Sequence, residues 1–314
     1  MTMKNKNLIW VYPRNNWVSN FKKTFVYGWC NPKAKLFVSS GGVYCNTPVQ
    51  KIKIFPNGNF AKTIKLPHEK NVIRLIQILN RKKKVITRHV IARKPVRLTK
   101  QSYKSDIGQV RLLCSPRLCL GGAGRYSVPP RNDTVIVIDP GHGGKEHGTH
   151  SPKDIPEKHF NLQIAKLLFG KLKNKYKYVY LTRSKDKYVS LKDRVNFAKK
   201  KKCNLFISIH HNALPDNEDP LKHRGVGIYY THDFVKPFAK KLLESISKEV
   251  AYCNTPLRKY GIFKRDFAVT RPDFYCGVLI ECGFLIHPKE GEYVTQKKVQ
   301  ERIVLGIMKS LQFS

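Results

Sequence analysis

Four residues of this 314-residue chain have the types that metal-assisted hydrolysis needs: His142, Glu157, His210 and Glu281. His142 stands in "VIVIDPGHGG" (135–144), where four apolar residues and Asp139-Pro140 give way to an imidazole fenced by glycines. His210 ends the apolar run "FISIH", and Glu281 ends "GVLIE". Glu157 opens a segment with helical periodicity. Two imidazoles and a carboxylate make a three-ligand zinc set that leaves one position for water, and a further carboxylate can take that water's proton. A carboxylate at the end of an apolar strand is also costly to bury without a metal or a partner. Each residue has a plainer alternative. A histidine in a glycine turn can be structural, and Glu157 can simply favour a helix N-terminus. Rivals are close by: Glu146 as the acid, and His147, His150 and His159 as imidazoles. His210 and His211 face opposite ways if both lie on a strand, so only one can enter a common site. Residue type and spacing leave these choices open.

The elements that must position these residues are legible from Asp133 onward. Strands are predicted at 134–139, 177–183, 204–210, 226–230, 267–270 and 277–281. Helices are predicted over 157–174, from the Ser190-x-x-Asp193 capping pattern to about Lys201, over 233–252 and over 296–311. Alternating strands and helices predict an α/β domain over 133–314: an open, mostly parallel sheet with helices on both faces. Ligands of such sheets gather at the carboxyl ends of the strands, where His142, His210 and Glu281 all fall.

Upstream the pattern changes. Between residues 20 and 95, short runs rich in β-branched and aromatic residues alternate with turn signals, of which Asn57-Gly58 is the strongest. The expectation is an N-terminal all-β, sandwich-like module without a catalytic constellation. Residues 96–132 have no sustained period and contain Gly121-Gly122 and Pro129-Pro130, which predicts a linker with at most a short strand at 109–113.

Composition narrows the function classes. Hydrophobic residues make up 41 % of the chain, enough for two cores. No apolar run reaches the ~18 residues of a membrane helix, and no signal peptide is visible. The formal net charge of +39 attracts polyanions, including acidic wall polymers. The lysines are spread along the chain, and "RKKK" (81–84) and "AKKKKC" (198–203) lack interleaved aromatics, so no specific nucleic-acid site is expected. The 8 cysteines contain no CxxC pair. A structural zinc knuckle is not expected, and Cys114–Cys119 is the nearest candidate for a local disulfide.

Seven segments, "VIVIDPGHGG", "PEKHFNLQIAKLL", "VYLTR", "VSLKDRVNFA", "LFISIHHNA", "GVGIYY" and "VLIECGFLIHP", occur in the order found in the zinc-dependent N-acetylmuramoyl-L-alanine amidases of the amidase-3 type. The chain resembles that family over roughly residues 133–313. The resemblance implies one Zn2+ held by His142, Glu157 (rather than Glu146) and His210, with Glu281 as catalytic base. It implies a peptidoglycan hydrolase that cleaves between N-acetylmuramic acid and L-alanine, located in the periplasm, outside the cell or on its wall, and monomeric. Arg183 and Arg194 match frequent family positions, Arg194 as a structural ion partner. His211 and His287 depart from the pattern, the latter in a place where the family has asparagine, and they bear on substrate fit more than on metal binding. The loop 212–224 leaves no room for the inserted autoinhibitory helix of some members. The β module is similar to the immunoglobulin-like modules of bacterial wall enzymes through Gly28, Gly58, Phe60, Leu66 and Asn71, which implies wall targeting. The alternative is a non-catalytic protein that binds the wall or another polyanion and carries no metal.

Overall fold

Apolar runs that do not alternate mark strands buried on both faces, and the N-terminal region has two of them, "LIWV" and "TFVY". A computed structural model describes residues 8–19, 21–42, 48–92, 133–215, 217–251 and 259–312. The expected linker 96–132, its strand at 109–113 and the Cys114–Cys119 pair lie outside the described residues. Described cysteines 30, 203 and 282 are free thiols.

The N-terminal strands are β1 (Leu8–Tyr12), β2 (Trp17–Ser19), β3 (Lys23–Cys30), β4 (Lys35–Gly41), β5 (Gln50–Ile52), β6 (Asn59–Lys65), β7 (Lys70–Leu79) and β8 (Lys82–Ala92). They form two sheets, ordered β1-β3-β6 and β2-β8-β7-β4-β5. Val26, Phe60 and Ile64 of the first meet Leu36, Val38, Ile73 and Leu75 of the second in one core. The all-β reading holds, but β1 and β2 precede the expected start at residue 20. The other face of the three-stranded sheet is apolar as well. Ile9, Val11, Phe25, Tyr27 and Ala61 pack with Ile286, which belongs to the second half of the chain.

That half contains β9 (Val135–Pro140), α1 (Glu157–Lys173), β10 (Tyr178–Leu181), α2 (Leu191–Lys200), β11 (Leu205–Asn212), β12 (Val226–Tyr230), α3 (Lys236–Ala251), β13 (Lys259–Lys264), β14 (Cys276–Phe284), α4 (Glu290–Val294) and α5 (Lys297–Ser310). The strand order is β10-β9-β11-β14-β12-β13. All neighbours are parallel except β12 and β14. Helices cover both faces. Ile136 and Ile138 point towards Ile164 and Leu168 of α1, Leu242 and Ile246 of α3, and Ile303 and Ile307 of α5. Val137 and Phe206 point the other way, towards Ala198 of α2. Ser190 caps α2, its Oγ accepting from the Asp193 N–H at 3.1 Å. Among the described residues no helix is long and apolar enough to cross a membrane.

One expected strand is absent. Residues 267–270, "FAVT", form a turn in which the Phe267 carbonyl accepts from the N–H groups of Thr270 and Arg271. β-Branched residues favour strands only where a neighbour offers a ladder, and here the edge of the sheet is taken by β13, which pairs with β12.

Candidate active site

Because β9, β11 and β14 are parallel neighbours, their carboxyl ends open on one edge of the sheet. His210 and Glu281 are direct partners in the β11–β14 register, and His142 lies two residues beyond β9. Glu157, the first residue of α1, is carried back to the same edge by the loop that follows His142. His142 Nε2 is 3.3 Å from Glu157 Oε2, and His210 Nδ1 is 3.2 Å from Glu157 Oε1. One ligand atom from each of the three residues falls within 4.8 Å of the others.

Glycine makes room for this cluster. A Cβ on Gly141 would stand 2.1 Å from His210 Cε1. A Cβ on Gly148 would stand 2.4 Å from Glu157 Oε2 and 2.7 Å from His142 Cδ2. His142 itself has φ 59°, a left-handed conformation that a side-chain-bearing residue keeps only when its surroundings hold it there. Two buried arginines do so. Arg194 donates to the His142 carbonyl at 2.8 Å, to the Pro140 carbonyl at 2.8 Å and to Asp139 at 2.5 Å. Arg183 donates to the carbonyls of Pro140 at 3.0 Å and Gly141 at 2.8 Å. Asp139, 1 % exposed, is satisfied further by Thr182 at 2.6 Å and Ser208 at 2.7 Å. Arg194 thus has the ion partner expected of it, and Arg183 has a role that its sequence position did not disclose.

Glu157 is also held by backbone and amide donors. The Thr149 N–H donates to Oε2 at 3.0 Å, while Asn161 Nδ2 at 2.9 Å and the His211 N–H at 3.0 Å donate to Oε1. Burial alone would raise its pKa, but hydrogen bonds and charge from His142 and His210 keep the carboxyl well below the usual range. Burial draws the His142 pKa down, and Glu157 more than restores it, leaving it raised. Glu281 moves the opposite way from Glu157: burial first, and then the Glu157 charge, push its carboxyl well above the usual range. Its Oε2 is buried and has no hydrogen-bond partner among the described residues. A carboxylate oxygen left bare beside two imidazoles and a second carboxylate suits a divalent cation and its water, and the N,N,O donor set is one that zinc takes.

The rivals lie elsewhere. His159 is exposed. His147 and His150 pair edge to face at 5.9 Å, and His150 Nε2 is 3.1 Å from Arg14. Glu146 closes the turn through backbone bonds to Gly143. His211 turns away from the cluster, its Nδ1 2.8 Å from Asn161 Oδ1, and burial lowers its pKa to about 4. His287 caps a turn, its Nδ1 accepting from the N–H groups of Lys289 and Glu290 at 3.2 Å. Thr149, Asn161 and Asp139 were not singled out in the sequence. Only Asp139, an acid at the end of an apolar strand, carried a signal that could have found it.

The family description N-acetylmuramoyl-L-alanine amidase (Amidase_3) matches residues 136–312, more than half of the chain. The chain belongs to this amidase family. LytH of Staphylococcus epidermidis, named a probable cell wall amidase, is 34% identical over 184 residues, which are 57% of this chain and 58% of that protein. The chain therefore spans less than two thirds of the length of this curated relative. The crystal structure of an N-acetylmuramoyl-L-alanine amidase from Clostridium difficile 630 superposes with a TM-score of 0.52 at 34% identity, covering 57% of this chain and 95% of that one. The catalytic domain of the amidase CwlV from Bacillus (Paenibacillus) polymyxa gives 0.51 at 33% identity, covering 56% and 95%. The amidase match begins in β9 and ends in the last described residue, so it contains the whole six-stranded sheet and none of the sandwich.

Proposed function

We propose that this protein is a zinc-dependent N-acetylmuramoyl-L-alanine amidase that hydrolyses the bond between the muramic acid lactyl group and the first stem-peptide residue of peptidoglycan. The observation that carries the reading is the convergence of His142, Glu157 and His210 within 4.8 Å, with Glu281 opposite His210 in the register. His142, Glu157 and His210 are the metal ligands, and Glu281 is the catalytic base. Bound there, zinc supplies Lewis acidity to the amide carbonyl and to the attacking water. Glu281 takes the water's proton and then gives it to the departing alanine nitrogen, so that a carboxylate and a free amine result. Asn161 and the Thr149 N–H hold the Glu157 carboxylate in one orientation, a role that partners of metal ligands commonly fill. The site of action is the cell wall, where this substrate lies. The sandwich domain (residues 8–92) serves as a wall-targeting module. The charge of +39 adds attraction to anionic wall polymers. The protein acts as a monomer.

Digestion of purified sacculi is expected to release stem peptides with a free N-terminal L-alanine, detected by mass spectrometry, and chelation to stop the reaction until zinc returns. Glu281→Gln should lower kcat by about 10²–10⁴-fold while leaving the zinc content unchanged. An unchanged rate would remove Glu281 from the role of base.

A further inference from the structure

The sandwich reaches two segments of the catalytic half, the loop between β9 and α1 and the turn that follows β14. On one side the Tyr27 hydroxyl, from β3, donates to the His150 carbonyl at 3.0 Å, next to Thr149 in the chain. The N–H of that same Thr149 donates to Glu157 Oε2. Arg14 grips the segment from outside, with Nη2 3.1 Å from His150 Nε2 and 3.6 Å from Asp154. On the other side Asn57 and Asn59 donate to the Pro288 carbonyl at 3.1 and 2.6 Å, in the turn that follows β14. Between the two grips Ile286 inserts into the apolar outer face of the three-stranded sheet. Tyr27 and Asn59 are 3 % and 1 % exposed, so these bonds are made out of water, where an orphaned partner is costly.

The loop on the Tyr27 side needs such a hold. Between β9 and α1 it contains only isolated bridges, Gly143–Glu146 and His150–Pro156, and left-handed residues at 142, 143, 144, 148 and 154. Its Thr149 N–H must nonetheless stay within hydrogen-bond reach of a ligand carboxylate. We propose that Tyr27 is a positioning residue for Glu157, acting through residues 149–150, and that the sandwich is thereby a working wall of the catalytic unit as well as a separate module. The inference rests on the reading of His142, Glu157 and His210 as metal ligands, and it goes beyond wall targeting.

The test uses the full chain loaded with Zn2+, and separately with Co2+, whose visible absorption reports ligand geometry. Zinc affinity is measured by competition with a chromophoric chelator for wild type, Tyr27→Phe and Val38→Ala. Val38 is 1 % exposed in the core between the two sheets and is absent from the apolar cluster that holds Ile286, so its truncation weakens the sandwich without touching the grip. Tyr27→Phe should weaken zinc binding about fivefold, the size of one ordinary hydrogen bond, and shift the cobalt spectrum. Val38→Ala should do neither. If Tyr27→Phe does not fold, Arg14→Ala carries the same test from an exposed position. A Tyr27→Phe protein with wild-type affinity and spectrum would overturn the proposal, as would an equal loss in Val38→Ala. A wild-type chain that binds neither metal would instead sink the metal reading, and this inference with it.

Discussion

Gly141→Ala isolates the geometry on which the active site depends. The new Cβ would stand 2.1 Å from Cε1, 2.2 Å from Nε2 and 2.6 Å from Nδ1 of His210. Ordinary carbon contacts are about 3.5 Å, so the imidazole must retreat by roughly 1.4 Å. Metal–ligand distances tolerate only about 0.2 Å. The ring would leave the ligand set, and zinc would keep two protein ligands. Removing a partner of a ligand costs about 10–100-fold in affinity; losing the ligand itself should cost at least about 100-fold. Gly141 is not among the glycines with left-handed backbone, so alanine adds no backbone strain there. The assay is competition for zinc against a chelator of known affinity, run beside a thermal melt. Gly170→Ala in α1 is the control: nothing lies within 4 Å of its added Cβ. It should leave zinc binding unchanged and add about 0.5–1 kcal/mol of stability. If Gly141→Ala binds zinc within threefold of wild type, His210 is not a ligand in the pose described.

Two further predictions concern the frame around the site. Arg194→Met leaves Asp139 buried with its charge uncompensated and should cost about 3–5 kcal/mol in denaturant unfolding; a loss below about 1 kcal/mol would show that Asp139 is satisfied without it. Glu290 is fully buried, and burial pushes its carboxyl from 4.5 up to about 7 although it accepts from the N–H groups of Gly225 and Phe284 at 2.8 and 2.7 Å. The folded protein therefore holds the Glu290 proton more tightly than the unfolded chain. Its contribution is intact below about pH 4.5 and is lost as pH rises to about 7, a decline of roughly 3 kcal/mol with the lowering by Arg224 already included. Glu290→Gln keeps an oxygen acceptor and carries no charge, so urea unfolding between pH 5 and 8 should show that decline in wild type and not in the variant. Parallel pH profiles would contradict it.

How much of this was legible in the sequence depends on what each signal measures. Periodicity and caps found β9, α1, β10, α2, β11, β12, α3, β14 and α5, because each has its own apolar face or run. β13 was missed because "KYGIFK" is partly exposed along its whole length, and "FAVT" was mistaken for it because propensity does not know where a ladder is available. β1 went unread although "LIWV" is continuously apolar; its second buried face is turned towards Ile286, a contact 277 positions from Ile9. Strand topology placed His142, His210 and Glu281 on one edge. It could not choose Glu157 over Glu146, since that choice depends on where a loop folds back, and there the family resemblance named the residue that the structure places in the cluster. The donors around Glu157 were out of reach for the same reason: a backbone N–H such as that of Thr149 has no sequence signature.

The antiparallel pairing of β12 with β14 decides where this scaffold can be altered. Gly227 lies opposite Glu281, and β12 runs away from the catalytic edge, so the connection from β11 to β12 crosses only that edge. The connections leaving β12 and β13 emerge on the far side of the sheet. Anyone grafting a gate, a sensor or a new specificity loop onto this fold should therefore cut between residues 213 and 225, while insertions after 230 or 264 would be passengers, carried without a view of the reaction.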